Sequence, residues 1–190
     1  MRDELKVTYD PETLREVYAD PDAVQRRIVE LKKAIGTAPD TTLEYMHRAE
    51  LVDLVRCSGD PDEALVQANL AVDRAEFVGK PAQQHMARLR LAHVHQWRGE
   101  FVEADLLFIE LLGSGPGFGP AICAITHHHA GKNDYDQGRY ADAVSQFEQA
   151  LYLRRRHELP DDELTTTKQA LKAAQARLTG PDDEHGMSTA

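Results

Sequence analysis

The stretch that decides the fold is GRYADAVSQFEQALYL, which runs from Gly138 to Leu153. Within it, Ala143, Phe147 and Ala150 follow one another at spacings of four and then three residues. This spacing places all three on one face of an α-helix. Two of the three side chains are small, and small side chains allow two helix backbones to approach closely. The stretch therefore predicts a helix packed tightly against a neighbouring helix.

The same pattern recurs upstream, in segments that start at residues 19, 59 and 99, so the starts are 40, 40 and 39 residues apart. A second helical stretch precedes the last three segments. These stretches are Thr41–Cys57, Pro81–Trp97 and Pro120–Asp136. The unit is therefore a helix, a short turn and a second helix. Only Pro11–Ala19 precedes the first segment, which predicts a truncated first helix there.

Proline and cap residues support these helices independently. Prolines are tolerated in the first turn of a helix, where an N–H group lacks an intrahelical partner anyway. Five of them fall at predicted helix starts: Pro11, Pro21, Pro61, Pro81 and Pro120. Predicted cap residues are Asp10, Asp20 and Asp60, together with Thr41, which forms a capping-box pattern with Glu44. Since no strand pattern of period two is found, the predicted fold class is all-α.

The predicted organisation is a single helical domain between two short segments. Residues 1–9 form an N-terminal segment, residues 10–178 form the domain, and the polar residues 179–190 form a disordered tail. A C-terminal capping helix closes the stack, because an end repeat needs a half-polar helix on its exposed face. The predicted boundaries within the domain are about 10–36, 41–78, 81–112 and 120–157 for the repeats and 161–178 for the capping helix.

Composition limits the classes of function. The formal net charge of -10 argues against a nucleic-acid or anionic-membrane partner. Cys57 and Cys123 are too few for a disulfide framework, and both are predicted to be buried reduced thiols. No signal peptide and no apolar run of membrane-spanning length is present in the sequence. These features predict a cytoplasmic protein.

The run from Gly138 to Leu151 closely resembles the second-helix signature of the tetratricopeptide repeat family, and Gly99-Glu-Phe-Val-Glu-Ala is similar to it. The resemblance extends over roughly Asp10 to Leu178. The usual repeat of this family is about 34 residues long, so the repeats here resemble its extended forms. The resemblance implies a right-handed α-α superhelix of helix hairpins, with a concave groove lined by the first helix of each pair.

Carrying over the groove-facing positions of the family gives a candidate partner-binding surface. Its residues are Met46, Asp53, Arg56, Met86, Leu89, His93, Gln96, His128, Lys132 and Tyr135. The specialised family groove that clamps a C-terminal carboxylate uses lysine and asparagine at equivalent positions. The residues at the equivalent positions here are Ala49, Asp53, Leu89, His93, His128 and Lys132. The resemblance therefore implies a groove for a protein or peptide, but not a receptor for chaperone tails.

Three functions stay open on the sequence. The first is a protein-interaction scaffold that binds a partner peptide or helix, since no catalytic motif is found and no catalytic residue, metal or cofactor is predicted. The second is a regulatory sensor of a small molecule or signalling peptide. The third is a metal-dependent enzyme using His93 and His128, although no two histidines have the spacing of four that ligands on one helix require. A homodimer is possible through the open N-terminal end.

The glycine-rich segment from Gly113 to Pro120 superficially resembles a phosphate-binding loop. Its glycines alternate, so it fits neither of the two common phosphate-binding patterns, GxGxxG and GxxxxGK[ST]. It is predicted to be a flexible connection between two helix pairs, with Phe118 docked on the stack. A hinge or a partner contact is an alternative, because loops often carry function.

Overall fold

A computed structural model describes residues 5–159 and 161–180 of the chain, with the side chains of 161–163 left out. The described part contains eight α-helices, one 3-10 helix and one two-stranded sheet. The strands are β1 (Val7–Tyr9) and β2 (Glu16–Tyr18). The helices are α1 (Pro21–Gly36), α2 (Thr41–Cys57), α3 (Pro61–Val78), α4 (Pro81–Arg98), α5 (Phe101–Ser114), the 3-10 helix (Gly115–Phe118), α6 (Pro120–Asp136), α7 (Tyr140–Arg156) and α8 (Asp161–Leu178).

The helices form two rows. Each helix packs on the next one in the chain, so α2 with α3, α4 with α5 and α6 with α7 are three hairpins, while α1 precedes them and α8 follows. The first helices α2, α4 and α6 also contact one another in succession, and α8 continues their row. The predicted all-α fold of stacked helix hairpins is confirmed.

Most helix starts agree with the sequence. Asp20 and Asp60 cap α1 and α3 by accepting hydrogen bonds from the backbone N–H groups of Ala23 and Glu63. The predicted cap at Thr41 was wrong. Asp40 caps α2 instead, because its extended backbone lets its carboxylate accept a hydrogen bond from the N–H of Leu43 at 2.9 Å.

The closest helix packing lies between α6 and α7, where a glycine faces an aromatic ring. A Cβ atom added to Gly131 of α6 would lie 2.7 Å from the ring of Phe147, which is itself completely buried. Small residues serve the same purpose in the other hairpins, since Ala64, Ala68 and Ala71 of α3 are completely buried. The recurring small positions of the sequence therefore mark the contacts between helices.

The N-terminal residues form a β-hairpin, so the predicted truncated helix over Pro11–Ala19 was wrong. The two strands pair in antiparallel fashion with Thr8 opposite Val17. Asp10 accepts hydrogen bonds from the backbone N–H groups of Glu12 and Thr13. These bonds close a turn rather than a helix start, because the backbone N–H of Asp10 returns to the carbonyl oxygen of Arg15 at 2.9 Å.

The glycine-rich segment is also more regular than predicted. Helix α5 continues to Ser114, and residues Gly115–Phe118 form a turn of 3-10 helix rather than an irregular connection. Phe118 does dock on the stack, with its ring centroid 5.0 Å from that of His85. The segment therefore connects two hairpins as an ordered extension of α5.

The two cysteines are less buried than the sequence predicts. Cys57 and Cys123 are free thiols, as predicted, but both are half-buried rather than buried. Burial raises the pKa of Cys57 to about 11, so its thiol stays protonated near neutral pH.

In the part of the chain that the structure describes, no helix has the length and apolar character needed to cross a membrane. From residue 181 onward the predicted disordered tail lies outside the described residues.

Candidate functional site

The row of first helices does carry the predicted groove residues, but part of the chain itself covers them. The N-terminal hairpin (residues 5–19) lies across α2, α4, α6 and α8 and contacts all four. The central contact comes from Glu16 on β2. Its side chain was not among the predicted site residues.

Glu16 joins two helices that are far apart in the sequence. Its Oε2 accepts a hydrogen bond from Nη1 of Arg56 on α2 at 2.9 Å, and its Oε1 accepts one from Nζ of Lys132 on α6 at 2.8 Å. Arg56 and Lys132 are buried, Lys132 being only 1% exposed, and the Glu16 side chain is 11% exposed. One carboxylate therefore holds two cations in a region that water hardly reaches.

Electrostatics keep these groups charged. Burial opposes ionisation of Glu16, but the charges of Lys132 and Arg56 outweigh it and hold the pKa of the carboxyl far below its usual range. Burial also lowers the pKa of the Lys132 ammonium, and the Glu16 carboxylate opposes that shift. A buried charge that loses its partner is costly, so the three groups depend on one another.

Three histidines lie beside these charges. Burial lowers the pKa of His93 and of His128 well below the usual value, and it lowers the pKa of His129 to about 3, so all three are neutral. Nε2 of His93 accepts a hydrogen bond from Nε1 of Trp97 at 3.2 Å. The rings of His93 and His129 contact each other in a tilted arrangement, with their centroids 4.4 Å apart and their planes at 50°.

The pairing that a metal site would need is not formed. His93 lies against His129, whereas His128 turns toward α8, where its Nδ1 lies 3.0 Å from Oγ1 of Thr167. Among the described residues, no three His, Cys, Asp or Glu side chains are grouped so that they could hold a metal ion. The histidines instead extend the packing around the buried charges.

Aromatic rings hold the hairpin along its length. Two guanidinium groups lie over the Trp97 ring. The Cζ atom of Arg15 is 4.9 Å from the ring centroid, and the Cζ atom of Arg56 is 4.5 Å from it. The hydroxyl of Tyr135 donates a hydrogen bond to the carbonyl oxygen of Glu12 at 2.8 Å. The hairpin is therefore bound through its backbone as well as through its side chains.

Leu14 fixes the turn of the hairpin. Its φ of 56° is in the left-handed region, which costs a non-glycine residue roughly 1–3 kcal/mol. The side chain is nevertheless buried, in a cluster with Tyr135, Phe147 and Ala174. Burial of a leucine side chain contributes about 1.5–3 kcal/mol, which offsets the strain. The turn is held in this conformation by the groove against which it packs.

The remaining predicted groove residues have other surroundings. Met46 is exposed, and Asp53 accepts a hydrogen bond from Nε of Arg90 at 3.1 Å. Met86 and Leu89 pack into the hydrophobic cluster between α4 and α5. Gln96 is buried, and its Nε2 donates a hydrogen bond to Asp136. The contacts to the hairpin are therefore concentrated on α2 and α6.

Three cavities border the hairpin, and two of them lie on the side of α6 and α8. One, of about 430 Å³, separates it from α8 and is lined by residues that include Tyr9, Leu14, His128, Lys132 and Ala170. The other, of about 330 Å³, lies between β1 and the helices α6, α7 and α8. The hairpin therefore does not fill the groove completely.

The residues that sequence reasoning missed are those that the hairpin contributes. Glu16 and Tyr18 point to the same side of β2, as do Val7 and Tyr9 of β1. The alternation of these side chains and the turn-forming Asp10 are the sequence signals that could have predicted the hairpin.

Comparison with known proteins supports the repeat assignment. Residues 128–162, which include α7 and the second half of α6, match the family model described as a tetratricopeptide repeat. No curated protein matches the chain. The matched residues form the most closely packed hairpin of the structure, and the other hairpins repeat its arrangement. Residues 128–162 of this chain are therefore similar to a tetratricopeptide repeat.

Proposed function

We propose that this protein binds another protein through the groove formed by α2, α4, α6 and α8, and that the groove recognises an extended segment bearing a carboxylate. Tetratricopeptide repeats generally mediate protein–protein interaction and are typically non-enzymatic scaffolds. The N-terminal hairpin is then the resident occupant of the site, which a partner segment replaces.

The observation that carries this proposal is the position of Glu16 between Arg56 and Lys132. Two buried cations from different repeats converge on one carboxylate at 2.8 and 2.9 Å. Charge-assisted hydrogen bonds of this kind are stronger than neutral ones and fix the position of the acidic group. An acidic side chain from a partner would meet the same two donors if the hairpin were displaced.

Displacement sets the affinity that a partner can reach. A ligand that binds only the open groove has its apparent affinity reduced by the fraction of molecules in which the groove is open. Because Leu14 combines a strained backbone conformation with a buried side chain, truncating that side chain favours the open state. The proposal therefore predicts that weakening Leu14 strengthens binding in trans.

A labelled peptide of residues 5–19 tests this proposal by fluorescence anisotropy. We expect weak binding to the unmodified chain and at least roughly tenfold tighter binding to the Leu14→Ala chain, because that substitution raises the open fraction. The same peptide carrying Glu16→Gln is expected to bind the Leu14→Ala chain roughly tenfold more weakly, since both cations then lose their charged partner.

A peptide carrying Val17→Thr is the matched control, because Val17 is 49% exposed on the outer side of β2. Its affinity should equal that of the unmodified peptide within about twofold. Equal affinity of the peptide for the unmodified and Leu14→Ala chains would contradict the idea of a resident occupant. Equal affinity of the Glu and Gln peptides would contradict carboxylate recognition.

A sensor of a small molecule is the second candidate, and the cavity beside α8 favours it. Its volume of about 430 Å³ suits a small ligand, and Lys132 lies on its wall. A small acid that binds there would give a saturable rise in melting temperature, because it binds the native state alone. A panel of aromatic and aliphatic carboxylates that produces no saturable shift would rule out this candidate.

A further inference from the structure

The second helices of the three hairpins, α3, α5 and α7, are the outer helices of the stack. Helix α5 differs from the other two because it carries an apolar stripe on its exposed side as well as on its buried side. Ala104, Phe108 and Leu111 are buried against the neighbouring helices. On the opposite side, an exposed apolar stripe consists of Val102, Leu106 and Ile109, which are 71%, 66% and 70% exposed. The spacing of four and then three residues aligns them along the helix. A contiguous exposed apolar stripe of this kind commonly marks a surface that another molecule covers.

A cleft runs beside this stripe, between α5 and α7, with α6 as its floor. Its volume is about 330 Å³. Apolar side chains from α5 line one wall, and α6 and α7 contribute polar and acidic groups. The residues used below are Asp105, Ile109, Asn133, Asp134, Arg139 and Asp142, and together they define the outer cleft.

Carboxylates outnumber cations in the outer cleft. Arg139 donates hydrogen bonds to both Asp105 and Asp134. Asp142 is exposed and makes no ion pair within the part of the chain that the structure describes. Asp105 and Asp134 therefore share one guanidinium, so that the described residues of the cleft include three carboxylates and one cation. Burial raises the pKa of Asp134, Arg139 opposes that shift, and the negative charges of Asp142 and Asp105 add to it more weakly.

A buried acceptor in the outer cleft also lacks a donor. The side chain of Asn133 is almost completely buried, and its Nδ2 donates a hydrogen bond to Asp105 at 2.6 Å. Its Oδ1 is buried and has no hydrogen-bond partner. An unsatisfied buried acceptor costs about 1–3 kcal/mol, so a ligand that supplies a donor is favoured there. The acceptors and the negative charge both select a cationic donor.

The cation is organic rather than metallic, because no group of described His, Cys, Asp and Glu residues could hold a metal ion. A guanidinium or ammonium group fits, since it donates several hydrogen bonds to carboxylate and amide oxygens. The adjoining apolar stripe requires apolar side chains from the same ligand. An amphipathic helix with a basic residue beside its apolar face meets both requirements.

We propose that the outer cleft and the stripe of α5 bind an amphipathic basic helix from a partner protein. Its apolar residues cover Val102, Leu106 and Ile109, and an arginine or lysine enters the cleft toward Asp142 and Asn133. A second copy of this chain fits less well, because antiparallel pairing of two α5 helices would bring Glu103 near Glu110 of the other copy. The site lies on the side of the stack opposite the groove, and its binding does not require the groove to open.

Two labelled 18-residue helical peptides with the same leucine stripe test the proposal on the full chain. One carries arginine and the other glutamate at the flanking positions. Fluorescence anisotropy should show saturable binding of the arginine peptide alone. Leu106→Ser should weaken it roughly tenfold, as expected for a central apolar contact. Asp142→Asn should weaken it roughly fivefold through loss of a charge contact.

Glu148→Gln on α7 is the matched control, because it removes one exposed carboxylate outside the outer cleft. Glu148→Gln should change the affinity by less than about twofold. If the peptide were attracted only by the net charge of the chain, the two substitutions would weaken binding equally. Equal effects of Asp142→Asn and Glu148→Gln, equal binding of both peptides, or no saturable binding would overturn the proposal. Sedimentation that shows a dimer lost on Leu106→Ser would assign the stripe to self-association instead.

Discussion

The groove and the outer cleft are two polar sites on the same helix, and they treat charge in opposite ways. Helix α6 contributes Lys132 to the groove and Asn133 to the outer cleft. In the groove, the buried cations Arg56 and Lys132 both meet the Glu16 carboxylate that the N-terminal hairpin supplies. In the outer cleft, negative charge is in excess and an acceptor has no donor. One site is complete within the chain, and the other is complete only with a ligand.

The largest effect should follow from removing a cation of the groove. Lys132→Met leaves the Glu16 carboxylate buried with Arg56 as its single cationic contact, and breaking a buried pair typically costs about 3 kcal/mol. Urea unfolding would measure the loss of stability. Lys172→Met, which removes an exposed lysine from α8, is the control and should change stability by less than about 0.5 kcal/mol. Equal effects of the two substitutions would mean that the groove charges are not coupled.

A packing change on the same helix should rank next. Gly131→Ala places a Cβ atom 2.7 Å from the Phe147 ring, and overpacking of this kind costs about 2 kcal/mol. Gly113→Ala in α5 meets nothing within 4 Å and should instead stabilise the helix by up to about 0.8 kcal/mol. Thermal unfolding of both variants measures the difference. If Gly131→Ala were neutral, α6 could move without disturbing either site.

Acid should weaken the groove through its neutral histidines. The pKa of His129 is about 3 in the folded chain and about 6.5 when unfolded, so the unfolded state binds more protons between these values. Stability is therefore present above pH 6.5 and is lost as the pH falls toward 3, by up to about 1.4 kcal/mol per pH unit. The groups that face this ring are Glu16, Arg56, Lys132 and Arg154.

Measurement of unfolding free energy against pH tests the contribution of this ring. His129→Gln should reduce the proton uptake on unfolding at pH 5 by about one proton. An unchanged slope for His129→Gln would show that another group controls acid unfolding.

The smallest effect is expected in the outer cleft. Asp142→Asn removes an exposed carboxylate that makes no ion pair with a described residue, so stability should change by less than about 0.5 kcal/mol. Chemical unfolding beside the Lys132→Met variant gives the direct contrast between the two sites. A loss as large as that of Lys132→Met would mean that the outer cleft is already complete within the chain.

The sequence predicts the helices well because their signals are local. Asp60, Pro61 and the alanines of α3 each act within a few residues, and they place α3 correctly. The hairpin escapes the same reasoning for two reasons. Each strand has three residues, which is too short for an alternating pattern to stand out, and Asp10-Pro11 matches a helix start as well as a turn.

The state of the site residues depends on contacts that no local pattern contains. Lys132 and Arg56 have suitable positions on their helices, and the family resemblance places both in the groove. Their burial depends on Glu16, which is 116 residues from Lys132 and 40 from Arg56. Similarly, the exposed apolar stripe of α5 follows from which helix lies beside it, and the sequence alone does not give this.

The position of the hairpin has a consequence for how the molecule unfolds. In a linear array, each repeat contacts only its neighbours, so the ends can fray while the middle stays folded. Here the N-terminal hairpin touches the first, third and last helices of the row α2, α4, α6 and α8 at once, which joins the beginning of the chain to its end. Opening of one terminal helix then breaks contacts at the other terminus. The amide hydrogens of the whole domain should therefore exchange with solvent as one cooperative unit, rather than repeat by repeat.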